Sequence, residues 1–355
     1  MSLRVLGTQD RDVWIALLEG LPPAQRDIHY HPDYLQIYER TYPEKAHLVV
    51  WDGAGGTIFQ PVVARAIPNA GLCDLSSTYG YGGPLAIGAP TPDDTRGFAR
   101  GFASFAADCG AVAEFCLLHP KLAQAQRPLL PNGQAVTYRK EVVVADLTQP
   151  LPLIWARIEE RQRKAALAAR KAGIEVVISD GSDADYDAYH ARYLETMQAV
   201  EARPFWHFPP NYFRNCRDGL GPDHVTLMHA QRAGQILASF FHIHMYGTVY
   251  YHFSCSDPAE RKLNPTSLLM LDSLIWAKSA GYALFHMGGG RTDGTDPLFT
   301  FKHAFSGQTL PLHSTQRVLN AEAYDCLTAA AKLRETEAHG APVKTAFFPR
   351  YRLQS

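Results

Sequence analysis

Long apolar runs are missing from this chain. None of its 355 residues lies in a stretch approaching the roughly 18 consecutive apolar residues of a membrane span. The opening Met1-Ser2-Leu3-Arg4 has no apolar core of a secretion signal, so the sequence reads as cytoplasmic, with peripheral attachment to a membrane surface left open. Neither sign of charge is in excess: 34 Lys and Arg stand against 35 Asp and Glu, which argues against a surface that grips DNA along its length. Cysteine is sparse and scattered (Cys73, Cys109, Cys116, Cys216, Cys255, Cys326), with no Cys-x-x-Cys. That pattern fits reduced thiols rather than a disulfide or zinc framework. His242-x-His244 and His29-x-His31 lack a Cys, Asp or Glu at the usual ligand spacing, so no metal site is assigned.

Material for real cores is present. Hydrophobic residues make up 46% and the length suits two domains, which we place at 1–150 and 151–355, parted at Pro150 and Pro152. In the first part, helical spacing over 10–20 and 32–42 precedes a strand at 46–51 and its hairpin partner at 57–67. A helix at 93–109 presents Phe98, Phe102 and Phe105 on one face, and strands follow at 112–117 and 138–146. The second part opens on a long helix over 154–172, then a strand at 174–178 and helices at 183–201 and 209–218. Strands at 224–231, 235–246 and 248–255 form a meander through the short turns Arg232-Ala233-Gly234 and Tyr246-Gly247. A helix over 265–280, a strand at 282–287, a strand at 309–319 and a helix at 321–338 complete it. The alternation predicts layered α/β domains.

The most telling stretch is Met287-Gly288-Gly289-Gly290-Arg291-Thr292-Asp293, followed by Asp296-Pro297-Leu298-Phe299-Thr300-Phe301-Lys302. Three glycines at the end of a buried strand mark a sharp turn or a close backbone approach, where open α/β sheets hold ligands. The run is not Gly-x-Gly-x-x-Gly, and no suitable acidic residue follows about 20 positions later, which opposes a dinucleotide site. Asp296 caps a short helix with Leu298, Phe301 and Phe305 on one face and Lys302 at its edge. Arg291 can pair with Asp293 or Asp296, or grip a phosphate.

Upstream, the strand 248–255 alternates, which puts Tyr251 and Phe253 on one face and Tyr250, His252 and Ser254 on the other. His252 is a candidate base. Asn264 is placed as the N-cap of the apolar helix 265–280, whose N-terminus beside Arg261 and Lys262 makes an anion seat. Tyr79-Gly80-Tyr81-Gly82-Gly83-Pro84 reads as an exposed loop suited to a sugar or diphosphate. Arg157, Arg161, Arg163, Lys164, Arg170 and Lys171 crowd one helix, a solvated face or a contact for phosphates.

Strand, basic loop, buried helix and strand resemble the donor-binding core of the GNAT acyltransferase superfamily. The Gly-Gly-Gly-Arg segment, the Asp-Pro-Leu-Phe-x-Phe-Lys run and the Tyr-Gly-Tyr-Gly-Gly-Pro loop narrow the resemblance. They are similar to the Fem-type (FemAB-like) aminoacyltransferases of peptidoglycan bridges and their acyl-CoA-using relatives, over about residues 30–320. The resemblance implies an α/β fold of two tandem GNAT-like domains sharing a cleft, with the donor site in the C-terminal one. It implies an N-acyltransferase that moves an acyl or aminoacyl group to an amine of a cell-envelope precursor, a peptidoglycan peptide or an amino sugar. Acyl-CoA or aminoacyl-tRNA would be the co-substrate, tRNA being a partner in the second case, with no tightly bound cofactor. Alternatives are an acyl-CoA-dependent enzyme for another small amine or polysaccharide, and a non-catalytic glycan or nucleotide-sugar binder.

Residue by residue, Lys302 matches the lysine of the family's Phe-Lys pair, with Phe301 before it, and is the catalytic candidate with His252. Tyr79, Tyr81, Gly82, Gly83, Tyr251, Gly289, Gly290 and Arg291 are assigned to substrate, and Arg261, Lys262 and Asn264 to the donor. The superfamily's phosphate-loop glycines are absent from Arg261-Lys262-Leu263-Asn264-Pro265-Thr266, and Leu118 stands where relatives have an arginine before His119-Pro120.

Overall fold

The structure, a computed structural model, describes residues 1–292 and 296–353. Asp293 lies outside the described residues. The chain divides into two compact units, Met1–Arg139 with Leu312–Ser355, and Lys140–Pro311.

The first unit begins with β1 (Ser2–Leu6), α1 (Arg11–Glu19), α2 (Pro32–Thr41), β2 (Glu44–Asp52), β3 (Gly56–Ile67), β4 (Leu72–Ser76) and β5 (Leu85–Gly88). It continues through α3 (Pro92–Asp108), β6 (Ala111–Leu118) and α4 (Ala123–Gln126). The second unit carries β7 (Val136–Asp146), whose first residues belong to the first unit, then α5 (Leu151–Arg157), α6 (Glu160–Lys171), β8 (Glu175–Ile178), α7 (Asp183–Ala199) and α8 (Tyr212–Leu220). β9 (Val225–Arg232), β10 (Gln235–Met245), β11 (Thr248–Ser256), α9 (Pro265–Ser279), β12 (Leu284–Gly288) and α10 (Pro297–His303) follow. The chain then re-enters the first unit along β13 (Gln308–Val318) and ends in α11 (Ala321–His339) and a short helical turn at Arg350–Arg352.

In the first unit the strands run β1-β2-β3-β4-β6-β13, with β5 beside β3. β4 and β6 are parallel; β13 closes the edge antiparallel to β6 from His313–Leu118 to Val318–Ala113. α3 starts at a capping box, Thr91 with Asp94, and buries Phe98, Phe102 and Phe105 against the sheet, as its periodicity predicted. The boundary expected at 150 is therefore displaced. Pro150 and Pro152 open α5, a use proline also has, and the stretch from Leu312 belongs with the first unit because β13 pairs with β6.

In the second unit the order is β7-β12-β11-β10-β9-β8. α9 lies in the core almost all round, with Leu268, Leu269, Met270 and Leu271 buried, which is why its sequence shows no polar face. The single helix expected over 154–172 is broken. Ile158 is extended (φ −69°, ψ 126°) and 2% exposed, and the Glu159 N–H donates to Ala304 O outside the helix. Two shorter helices let both Ile158 and the α6 face of Ala166 and Ala169 reach one core.

Two features of β11 shape the site. First, Tyr251 faces His242 and Phe253 faces Phe241, so His252 is one extra residue, a bulge. Past a bulge the alternation slips by one position. Tyr251 packs on Phe240 and bonds Ser254, whereas His252 and Phe253 both turn to the aromatic cluster of Tyr193, Phe208, Tyr212 and Phe213. The expected pairing of Tyr251 with Phe253 is thus overturned. Second, the parallel pairing of β11 with β12 runs only from Thr248–Leu284 to Tyr250–His286, while β11 continues to Ser256 against β10. The pairing with β12 ends at Tyr250, so Tyr251 is the first residue of β11 beyond it.

Candidate functional site

The turn after β12 is built for close approach. Gly288 has φ +74°, a conformation that glycine adopts without strain, and its N–H donates to His286 Nδ1 at 3.1 Å. A Cβ on Gly290 would sit 2.4 Å from Asp296 Oδ2, so the third glycine is required by the carboxylate behind it. That carboxylate accepts the N–H groups of Thr292, Leu298 and Phe299 at 2.8–3.0 Å and anchors α10 to the turn. Backbone hydrogen bonds hold Asp296 below the usual carboxylate range against the opposing effect of its burial.

Lys302 projects from α10 into this turn. It is 6% exposed, donates from Nζ to Gly289 O at 2.8 Å, and lies 5.0 Å over the ring of Tyr251. Burial foremost, and then nearby Lys140, lower its pKa from 10.5 to about 7 against the opposite pull of Asp296. An amine with this balance exchanges a proton near neutral pH, which an ordinary surface lysine does not.

The other assigned residues divide between a neighbourhood of Lys302 and positions away from it. Tyr251, Gly289 and Gly290 are beside it. Phe301 packs edge-on to Phe305, 5.2 Å between centroids, at the margin of the core. Arg291 is exposed, and its guanidinium makes no ion pair with Asp296 among the described residues; the alternative partner Asp293 lies outside them. His252 is not brought to Lys302. It sits on the opposite face of β11, 8% exposed, with Nε2 3.2 Å from the Tyr212 hydroxyl. Asn264 precedes α9 as expected but does not cap it: its backbone is left-handed (φ 57°, ψ 40°) and its amide bonds Lys262 O. Arg261 and Lys262 are exposed on the turn before it.

In the first unit, the Tyr79–Pro84 loop is not exposed: Tyr79 and Gly80 are half-buried and Tyr81 to Pro84 buried. Gly82 O accepts the Tyr30 hydroxyl at 2.7 Å and Gln126 Nε2 at 2.6 Å, its N–H donates to Leu117 O, and Tyr81 is 8% exposed. Tyr34 and Tyr38 take the O and N–H of Tyr79. The backbone groups of Tyr79 and Gly82 are thus engaged within the protein.

Below that loop the structure gathers Asp27, His29 and His119, whose donor atoms lie within 4.8 Å of one another. In the sequence the cluster shows only as Asp27-x-His29, with His119 some 90 positions on. His29 Nδ1 is 2.7 Å from Asp27 Oδ1, and His119 Nε2 is 3.1 Å from Oδ2. The Lys121 N–H donates to His119 Nδ1 at 3.2 Å, which puts that imidazole's own proton on Nε2, aimed at Asp27. A metal ion would have to displace that proton and leave Nδ1 facing a donor; the arrangement suits hydrogen bonds instead. His242 and His244 are likewise engaged, with Ser273 and with Thr226 and Tyr282, and burial pushes them down to about 3 and about 4.

A family model described as an acetyltransferase (GNAT) domain matches residues 156–302, inside the second unit. No curated protein matches the sequence. FemX, a solved structure, superposes over 92% of this chain and 99% of its own, at TM-score 0.68 and 12% identity. The fold is that of a Fem-like tandem GNAT protein. Within this Fem-like fold, the second unit carries the region that is similar to an acetyltransferase (GNAT) domain. Two further structures share the fold. One is the C-terminal domain of a putative lysylphosphatidylglycerol synthetase from Agrobacterium fabrum (13% identity, 92% and 96% coverage, TM-score 0.53). The other is a tandem GNAT protein from the clavulanic acid pathway (12% identity, 89% and 98% coverage, TM-score 0.51).

Proposed function

We propose that the second unit is an N-acyltransferase that uses Lys302 as its proton carrier and transfers an aminoacyl or acyl group to an amine of a cell-envelope precursor. The observation that carries this is the buried Lys302 amine, held on Gly289 O over the ring of Tyr251, just past the last paired residues of β11 and β12. The acceptor, an ammonium in water, first gives one proton to solvent and enters the step as a free amine. Neutral Lys302 accepts its proton as the nitrogen attacks the donor carbonyl, a C–N bond forms, and the C–O or C–S bond to the carrier breaks. The Lys302 ammonium then returns the proton to the departing oxygen or sulfur. A pKa of about 7 suits both halves of that exchange.

The start of α9 favours aminoacyl-tRNA over acyl-CoA as donor. Pro265 has no N–H, and those of Ser267 and Leu268 donate to Asn264 O, so few first-turn amides remain for a pyrophosphate. Exposed Arg261 and Lys262 would meet a tRNA backbone. The fold shared with FemX and with the synthetase domain supports an envelope acceptor.

The test offers charged tRNAs and CoA thioesters with UDP-linked muropeptides and free amino sugars, and reads the acceptor's mass. Product is expected from at least one charged tRNA. Lys302→Met is expected to lower turnover on the order of 10²–10⁴-fold. Unchanged turnover in that variant would remove Lys302 from the mechanism; product from CoA thioesters alone would overturn the tRNA assignment.

A further inference from the structure

Two ammonium groups, not one, converge on the glycine turn. Lys302 reaches it from α10 and Lys140 from β7, and both bond backbone carbonyls: Lys302 to Gly289 O at 2.8 Å, Lys140 to Gly290 O at 3.0 Å and Thr292 O at 3.3 Å. The stem of Lys140 lies across Gly289, where a Cβ would meet its Cδ and Cε at 3.1 Å. We propose that Lys140 is a positioning residue for Lys302, bracing the turn that receives the Lys302 amine and setting a second positive charge beside it.

The groups facing Lys302 support this from each element packed on it. From β11, Tyr251 presents its ring face, and burial holds its phenol neutral. From β12, His286 Nδ1 is used by the Gly288 N–H. At the start of α10, the Asp296 carboxylate is drawn to the N–H groups of Thr292, Leu298 and Phe299. Lys140 from β7 is then the charge that opposes protonation of Lys302, second in weight to burial itself. Gly289 O accepts a hydrogen from Lys302 in either protonation state, more strongly from the ammonium, so it keeps the amine in place while Lys140 opposes the charge. Removing Lys140 loosens the turn and raises the affinity of Lys302 for a proton. No motif in the sequence announces this pair, because 162 positions separate the two lysines.

The inference rests on Lys302 being the reacting amine, so its test reads Lys302 directly. The full chain is labelled competitively with acetic anhydride across pH 5–10, and Lys302 acetylation is followed by peptide mass spectrometry. In the wild type the inflection is expected near the value of about 7. In Lys140→Met it is expected to rise by about one pH unit, a tenfold change in proton affinity. Lys140→Arg, which keeps the charge, is expected to stay near the wild type. Gly289→Ala, which displaces the Lys140 stem by a few tenths of an ångström, is a second variant expected to move the inflection upward. The proposal falls if Lys140→Met leaves the inflection in place, if Lys140→Arg moves it as far as Met does, or if Lys302 resists the reagent at every pH. Should the inflection shift while Lys302→Met retains full turnover, the proposed function fails and the inference about Lys140 stands.

Discussion

Lys302 is held where a lysine is destabilising when charged, and that has a measurable sign. Its folded-state pKa, about 7, lies below the ordinary 10.5, so between those values the unfolded chain binds more protons than the folded one. Stability contributed at this position therefore rises with pH from about 7 to 10.5 and is flat below. Replacing Lys302 with Met removes that dependence. The variant is expected to melt at a higher temperature than the wild type at pH 6, with the gap narrowing by pH 9; a scan of Tm against pH checks it, and a constant gap would sink the account. At this scale the sequence put Lys302 and the three glycines close together, and in the structure Lys302 bonds Gly289 O. Lys140 was illegible, because its role depends on strand pairing across the unit. His252 looked suited by residue type alone, but it faces away from Tyr251, as simple alternation already places it, and what the bulge moves is Phe253.

At the scale of elements, periodicity located most helices and strands to within a few residues, because long amphipathic or buried segments advertise themselves. The failures have local causes. The break at Ile158 has no Gly or Pro to mark it, and β1, β4 and β5 are too short to stand out. α10 is a seven-residue helix that depends on its cap. Asp296→Ala removes acceptors from Leu298 and Phe299 and is expected to destabilise by about 1 kcal/mol and to lower turnover, since α10 carries Lys302. Asp296→Asn keeps an acceptor but removes the charge that favours protonated Lys302. In that variant the rise of activity through neutral pH is expected to move to lower pH at nearly normal stability. Urea unfolding and a pH–rate profile separate the two variants; identical profiles for Asn and the wild type would count against any influence of the Asp296 charge.

At the scale of the molecule, the first unit holds a buried cluster that responds to acid. In that cluster, burial raises Asp27, but the two imidazoles, His119 foremost, outweigh it and hold the carboxyl well below its ordinary 3.8. Burial likewise keeps His119 below its ordinary 6.5 despite Asp27. Both shifts stabilise the fold at neutral pH. The His119 contribution is lost as pH falls below about 6.5, and that of Asp27 only below about 4, where the unfolded carboxyl begins to protonate. Asp27→Asn is expected to destabilise by about 2–3 kcal/mol at pH 7, with the deficit closing below pH 4. Chemical unfolding followed by the fluorescence of Trp14, whose indole N–H donates to Tyr30 O beside this cluster, would show it, and a deficit independent of pH would overturn it.

The return of β13 to the first unit has a consequence during synthesis. Lys140–Pro311 is contiguous, so everything the second unit needs has left the ribosome before β13 is complete. The first unit waits, although its strands are made first: until Leu312 and the residues after it emerge, β6 has an open edge where β13 will lie. The half of the protein that is translated earliest is thus the last to be finished, and during that interval it is the half exposed to mispairing.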